Sequence, residues 1–391
     1  MSDNYRILSP VGQGGFDIEH IDGTTIVFDC GSYGRYHIGN CIHHYSETLS
    51  NFCDRKPVID YVFLSHFDND HINGLPLLKK YFEIRNIVVP YIPKKYRVLY
   101  NVVTEFCISR FYEFATGGRP INIIESNPLS FNQQLLFLKE EGYGRVQSVN
   151  QKWEWIYRSF FSTDQWEELI GALKDKSYPL FDNFNININD DIINNQIDDL
   201  TNQYEPFDID SFHSDKIKLD KDALRIINNT IGDLFGQSNQ SFAKNENGLV
   251  MLSKKAFLSQ KASIEVYYPE CPFSRIIDNN YPNSYGCRQN HDYSACIYTG
   301  DMKLDVEHSS TIVDFIRMAN EPLLLFQIPH HGSSHNSSRQ HLGLVPTDYF
   351  FWHDRDYTRI RKNTSIMNCH GITNKLRIID TSAGMFCRIV F

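Results

Sequence analysis

No stretch of this 391-residue sequence approaches the roughly 20 consecutive apolar residues that a membrane span requires. The start Met1-Ser2-Asp3-Asn4-Tyr5 also lacks the basic, then apolar, pattern of a secretory leader. Both absences set the expectation of a cytoplasmic protein with no membrane partner. The nine cysteines are odd in number and include no Cys-x-x-Cys pair, which argues against a zinc ribbon and for reduced thiols rather than a disulfide framework. Cys30, Cys296 and Cys387 lie in apolar runs and read as core residues. A basic surplus is missing too: the net charge is −9, which argues against broad nucleic-acid affinity because phosphate binding draws on basic surface. A local patch can still act against that average. No helix pattern follows Gly12-Gln13-Gly14-Gly15, so this Gly-rich opening fails the context test of a phosphate loop.

What the chain does have is one dense polar stretch, Ser65-His66-Phe67-Asp68-Asn69-Asp70-His71-Ile72-Asn73-Gly74-Leu75. It follows the apolar run Tyr61-Val62-Phe63-Leu64 and precedes the helix-like Leu75-Pro76-Leu77-Leu78-Lys79-Lys80. The pattern is a strand, a polar turn and a helix start. In an extended turn residues i, i+2 and i+4 point the same way, so His66, Asp68 and Asp70 can converge while His71 closes from the other side. Nitrogen and oxygen donors this crowded suit Zn²⁺, Mn²⁺ or Fe better than Ca²⁺ or Mg²⁺, which take mainly oxygen. The alternative is a polar surface loop with chance His and Asp, but four such matches at fixed spacing arise by composition far less than once in a chain of this length.

Two further buried runs deliver polar residues at their ends. Ser294-Ala295-Cys296-Ile297-Tyr298-Thr299-Gly300-Asp301 closes on an acid after a glycine that permits a sharp exit. Leu323-Leu324-Leu325-Phe326-Gln327-Ile328 runs into Pro329-His330-His331-Gly332-Ser333, and α/β folds place ligand sites at such strand ends. The competing reading of that pair is two structural histidines with capping serines. Upstream, Tyr5–Leu8, 11–16 and 24–31 read as hairpin strands, with Asp22-Gly23 as the turn. Tyr36–Phe52 is helical in pattern, and its His37, His43 and His44 read as solvated. Ile84–Pro90 reads as a buried strand that completes a β-α-β step. Lys94, Lys95 and Arg97 follow it, as a solvated loop or as a lining of the site mouth.

Together these motifs resemble the metallo-β-lactamase fold, in the variant whose His-x-His-x-Asp-His signature carries Asp for the second His. That variant is similar to the hydrolase domain of the DNA-uptake competence channels and to some phosphorylcholine esterases of the same fold. Val11-Gly12-Gln13-Gly14, Asp29-Cys30-Gly31, Thr299-Gly300-Asp301 and Pro329-His330-His331-Gly332-Ser333 each resemble motifs of the competence-channel branch, and the likeness covers residues 5–100 and 245–391. It implies a four-layer αββα sandwich with metals at one edge between two sheets, Asp29 buttressing the metal loop, and Asp301 bridging two metals. One of His330 and His331 should touch metal or substrate phosphate, the other packing behind it. The family's His ahead of the bridging Asp has no counterpart here; Tyr268-Pro269 stands there, with His291 as a substitute. For the last ligand the choice lies between His353 and His370, and His353 is favoured because strand ends deliver the others. The expected ligands are thus His66, Asp68, Asp70, His71, Asp301, His331 and His353, and the catalytic candidates Asp70, His330 and His331. The expected cofactor is one to two Zn²⁺ or Mn²⁺ ions per chain.

The implied activity is metal-dependent hydrolysis of a nucleic acid or a nucleotide-like phosphodiester. The alternatives are a hydrolase of small molecules (a cyclic nucleotide, a phosphocholine-type ester or a lactone) and a catalytically weak module that binds a partner. Residues 1–100 and 246–391 read as the two halves of the core, and 101–245 as a helical and acidic insertion over or beside the active face, a candidate surface for a protein partner; for its acidic half the alternative is a flexible elaboration. Helical runs at Val102–Phe114 and Thr163–Lys174 and the Asn/Asp-rich stretch Asp182–Asp222 carry that expectation, since a segment so polar cannot build a core.

Overall fold

A computed structural model describes residues 4–50, 55–93, 96, 99–100, 111, 114–115, 121–126, 143–161, 163–174, 176, 221–235, 247–257, 262–268, 272–273, 289–291, 293–304, 306–333, 342–343, 345–354, 375–379 and 384–391. Among these residues two sheets stand face to face. The first has the strand order β11-β10-β16-β1-β2-β3-β4-β5-β6 and the second β15-β14-β13-β12-β9-β8-β7. The first contains β1 (Tyr5–Leu8), β2 (Gly14–Ile21), β3 (Thr24–Ser32), β4 (Val58–Phe63), β5 (Glu83–Pro90), β6 (Asn122–Ser126), β10 (Ser263–Tyr267), β11 (Gln289–His291) and β16 (Met385–Val390). The second contains β7 (Tyr143–Gln147), β8 (Trp153–Phe161), β9 (Asn247–Lys255), β12 (Ala295–Tyr298), β13 (Leu323–Gln327), β14 (Thr347–His353) and β15 (Leu376–Ile379).

Three apolar layers hold the stack. Phe28, Phe63 and Val88 of the first sheet meet Trp155, Tyr157, Met251, Tyr298 and Phe351 of the second. On the outer face of the first sheet, Ile38, Ile42 and Tyr45 of α1 (Arg35–Ser50) and Leu75 and Leu78 of α2 (Leu75–Tyr81) cover Ile59, Val62 and Ile87. On the outer face of the second, Ile312 and Phe315 of the helix Val306–Ala319 cover Ile156, Leu252, Ile297 and Phe326. This is the αββα sandwich of the metallo-β-lactamase fold. No helix among the described residues is long and apolar enough to cross a membrane.

The hairpin turn Asp22-Gly23 has positive φ at both residues, the geometry that matches strand twist in a two-residue turn. The strand before it is displaced from the expected 11–16 to 14–21. Asp17 and Glu19 are the reason: both are completely buried, so they break the apolar pattern by which a buried strand is read. Glu19 accepts hydrogen bonds from Arg6 Nε, Ser253 Oγ (2.6 Å), Trp155 Nε1 (2.6 Å) and Tyr298 Oη (2.8 Å), an ionic network between the two sheets in which every oxygen is satisfied.

Residues 101–245 depart most from expectation. Helices do occur at Thr163–Lys174, as expected, and at Lys221–Phe235. However, β6 extends the first sheet and β7 and β8 extend the second, with β8 paired to β9 along its whole length. The cause is period-two alternation: Trp153, Trp155 and Tyr157 all enter the inter-sheet layer, and burying three large aromatics outweighs the polar setting around them. The Asn and Asp residues of 182–220, Lys94, Lys95, Arg97 and most of 102–114 lie outside the described residues.

Candidate metal centre

The carboxyl ends of β3, β4, β12, β13 and β14 open at one edge of the sandwich, and the expected site residues leave from them. β12 to β15 pair in parallel, as do β3 to β6, so each sheet presents a row of strand ends to that edge. β3 and β4 belong to the first sheet, β12 and β13 to the second. The centre is therefore assembled across the gap between them.

The donor atoms converge on Asp301. His66 Nε2 lies 3.7 Å from Asp301 Oδ2 and 3.6 Å from Asp68 Oδ2, and His71 Nε2 lies 3.4 Å from Asp301 Oδ1. His331 Nε2 lies 3.5 Å from Asp301 Oδ1 and 3.4 Å from Asp70 Oδ2. Two sets of three donors, one from His66, His71 and Asp301 and one from Asp70, His71 and His331, each fit within 4.8 Å. The Nε2 atoms of His66, His71 and His331 are buried and have no hydrogen-bond partner. Buried nitrogens are almost always satisfied, so three aimed at one carboxylate group are what a cation site needs.

Each of these imidazoles is held at its other nitrogen. His66 Nδ1 lies 2.8 Å from Ser65 Oγ, His71 Nδ1 2.8 Å from Asp29 Oδ2, and His331 Nδ1 3.0 Å from the His353 carbonyl. Bonding at Nδ1 sets the ring's orientation and leaves Nε2 for a metal. Asp29 also accepts from Ser65 N (2.7 Å) and Ser65 Oγ (2.8 Å), so it does buttress the loop from below.

The electrostatics match this picture. Burial pushes the Asp301 carboxyl upward, yet the imidazoles of His331, His330 and His71 more than offset it and hold the group well below its usual range. Burial favours neutral His71, but Asp29 and Asp301 raise it well above the ordinary value, and Asp301 and Asp70 likewise raise His331 against its burial. Asp70 is lowered, His331 and His71 outweighing its burial. The cage is built to hold positive charge.

The backbone here is strained. Asp29 (φ 57), His330 (φ 50) and His331 (φ 51) are half of the non-glycine residues with positive φ among the described residues. Such conformations cost on the order of 1–3 kcal/mol each and persist where the surroundings enforce them. His330 N donates to the Gly300 carbonyl at 3.1 Å, tying the two strand-end loops together.

Of the expected residues, His66, Asp68, Asp70, His71, His330, His331 and Asp301 come together. His330 is the most exposed, its side chain 30% accessible, with Nε2 3.7 Å from Asp301 Oδ2. His353 does not join them: its Nε2 lies 2.9 and 3.1 Å from the two oxygens of Asp17, because the strand ending at His353 turns that ring into the inter-sheet layer. His291 is also elsewhere, bound to Asp348 (2.8 Å) and Tyr349 (3.3 Å). His370 lies outside the described residues. Gln13 was legible only as part of a glycine motif, yet its amide donates to Asp70 Oδ2 at 3.3 Å. Gln327 gave no signal beyond its place at a strand end. Its Oε1 accepts from Thr299 N (2.8 Å) and Gly300 N (2.9 Å), fixing the exit loop that carries Asp301.

Fold and site together define a metallo-β-lactamase-fold protein with a His/Asp centre of metal-binding type. Residues 18–125, which include the His66 to His71 stretch, match the profile of the metallo-beta-lactamase superfamily. Among solved structures the chain is similar to metallo-beta-lactamase SMB-1 bound to 2-mercaptoethanesulfonate, at 8% identity and TM-score 0.30, covering 94% of this chain and 87% of that one. It is also similar to a HARLDQ motif mutant of a metallo-beta-lactamase from Cronobacter sakazakii, at 16% identity and TM-score 0.21, covering 37% and 57%. Comparison with curated proteins gives no match.

Proposed function

We propose that this chain is a metal-dependent hydrolase of phosphodiesters of nucleic-acid or nucleotide type, acting in the cytoplasm. One to two Zn²⁺ or Mn²⁺ ions would be held by His66, Asp68, Asp70, His71, Asp301 and His331. The observation that carries the reading is the convergence of three buried, unsatisfied Nε2 atoms on Asp301, each ring fixed at Nδ1. Bound divalent ions would supply Lewis acidity and bring a water's pKa towards neutrality. The superfamily match over 18–125 supports the hydrolase class. The carboxylate-rich donor set (Asp68, Asp70, Asp301) suits Zn²⁺ or Mn²⁺, and anionic phosphodiester oxygens suit a pair of such cations. His330, the most exposed of the clustered imidazoles, is placed to donate a hydrogen bond to an anionic substrate oxygen.

The test is an activity panel with added Zn²⁺ or Mn²⁺ on an aryl phosphodiester, single- and double-stranded DNA, RNA, cyclic nucleotides, a phosphocholine ester and a lactone. Turnover of the aryl phosphodiester and of at least one nucleic acid or cyclic nucleotide is expected, lost in His66→Ala and Asp70→Ala together with most of the bound metal. Lactone turnover alone would overturn the substrate class. Normal metal content in both variants would overturn the centre.

A further inference from the structure

We propose that Asp17 and His353 form a positioning pair that sets the His331 arm of the centre, an inference that rests on the reading of the centre above. Asp17 lies on β2 of the first sheet and His353 ends β14 of the second; their side chains are 0% exposed. The His353 ring meets both Asp17 oxygens, at 2.9 and 3.1 Å, so the ring spans the gap between the sheets. Its carbonyl, on the same residue, accepts from His331 Nδ1 at 3.0 Å. A contact between residues 336 positions apart is thus relayed through one peptide carbonyl to a residue of the centre.

Packing alone gives no reason for an acid at position 17. The Asp17 carboxylate is completely buried, and a buried carboxylate is costly unless it is well paired. What the pair does supply is a fixed position for the His353 carbonyl. That matters because His331 sits at φ 51, a conformation the turn Pro329–Gly332 does not favour by itself, and so depends on an outside hold. The other two imidazoles take theirs from the first sheet and the loop after it, through Asp29 and Ser65. His331 comes from the second sheet, and the Asp17 bond aligns that arm with the first. Closure of the sandwich and alignment of the centre become one event.

The experiment is a Zn²⁺ titration by isothermal calorimetry and chelator competition, with melting temperature and circular dichroism measured in parallel. The site of interest is the one that His331→Ala weakens. The double variant Asp17→Leu/His353→Leu removes both partners and leaves no buried charge unpaired. It is expected to bind Zn²⁺ at that site at least about tenfold more weakly, the scale on which partners of metal ligands act, and to keep the other site within about twofold. Asp17→Asn, which retains one acceptor, should fall between, at about threefold. Ser253→Ala loosens the Arg6–Glu19 network between the same two sheets, so it should lower the melting temperature without changing either affinity. Wild-type affinity in the folded double variant overturns the pair while leaving the proposed function standing. Should the double variant fail to fold, Asp17→Asn decides, and wild-type affinity there overturns the pair. Equal loss in Ser253→Ala assigns the effect to general stability and also overturns it. Wild-type protein that takes up neither Zn²⁺ nor Mn²⁺ removes the centre and the pair together.

Discussion

Asp301 is where single atoms matter most. Its carboxylate faces the Nε2 atoms of His66, His71, His330 and His331 at 3.4–3.7 Å. Asp301→Asn keeps the shape and removes the charge, and because the residue stands at the exit of β12, the buried strand Ala295–Tyr298 should fold as before. The expected result is wild-type circular dichroism with turnover of every accepted phosphodiester slower by about a hundredfold or more, the scale of losing charge stabilisation at a metal. A well-folded variant with near-normal rates would refute a role for the Asp301 charge in turnover. Protons offer a second test. In the ion-free chain Asp29 and Asp301 hold His71 well above the ordinary imidazole value and Asp301 and Asp70 raise His331, both against burial, so a metal competes with protons at these rings. Zn²⁺ affinity should therefore rise with pH, with a measurable number of protons released as each chain takes up metal. Titration calorimetry in buffers of different ionisation heat measures that number, and a heat independent of buffer would contradict it.

At the scale of elements, the centre depends on loops that cannot relax. Gly300 has φ +54, and a Cβ there would stand 2.3 Å from Ser65 Cβ. Since Ser65 holds His66 and contacts Asp29, Gly300→Ala should displace two elements at once. A stability loss of about 1–3 kcal/mol and a weakened metal site are expected, read by thermal melts with and without Zn²⁺; an unchanged metal-induced shift would show that the loop has slack. Gln327→Leu tests the same loop from β13. It strips the buried N–H groups of Thr299 and Gly300 of their acceptor, which costs about 1–3 kcal/mol for each group left unsatisfied.

For the whole molecule, ion binding and folding are linked, because no donor set exists until the two sheets meet. An ion present at about a hundred times its dissociation constant adds about 2.7 kcal/mol to the folded state, so EDTA should lower the melting temperature. The ion-free chain should show a stability window in pH. The pairing of His71 stabilises it below the ordinary imidazole value of 6.5 and is lost as pH rises through the raised folded value. The pairing of Asp301 stabilises it above 3.8 and is lost as pH falls towards the depressed folded value. Bound metal should remove the alkaline loss, since it takes the place of the proton on His71. Excision of residues 101–245 would also delete β6, β7 and β8, and expression with circular dichroism is expected to show no folded product.

The sequence alone determined the parts of the centre that are local. His66 to His71, the acid after Gly300 and the pair after Pro329 could be read because each follows a buried strand within a few residues, and strand direction delivers them to one edge. Cys30, Cys296 and Cys387 could be assigned to the core for the same reason, and all three are fully buried. The tertiary structure alone decided which ring nitrogen faces inward, since Ser65 Oγ, Asp29 and the His353 carbonyl set that by contact. It also turned His353 away from the donors, through a carboxylate 336 residues distant. It drew 143–161 into the second sheet by burying tryptophans against a layer that the local pattern does not name. The division follows from how the two kinds of information are stored. Alternation and turn chemistry lie between neighbours in the chain, whereas buried charges such as Asp17 and Glu19 become intelligible only beside their partners in the folded molecule.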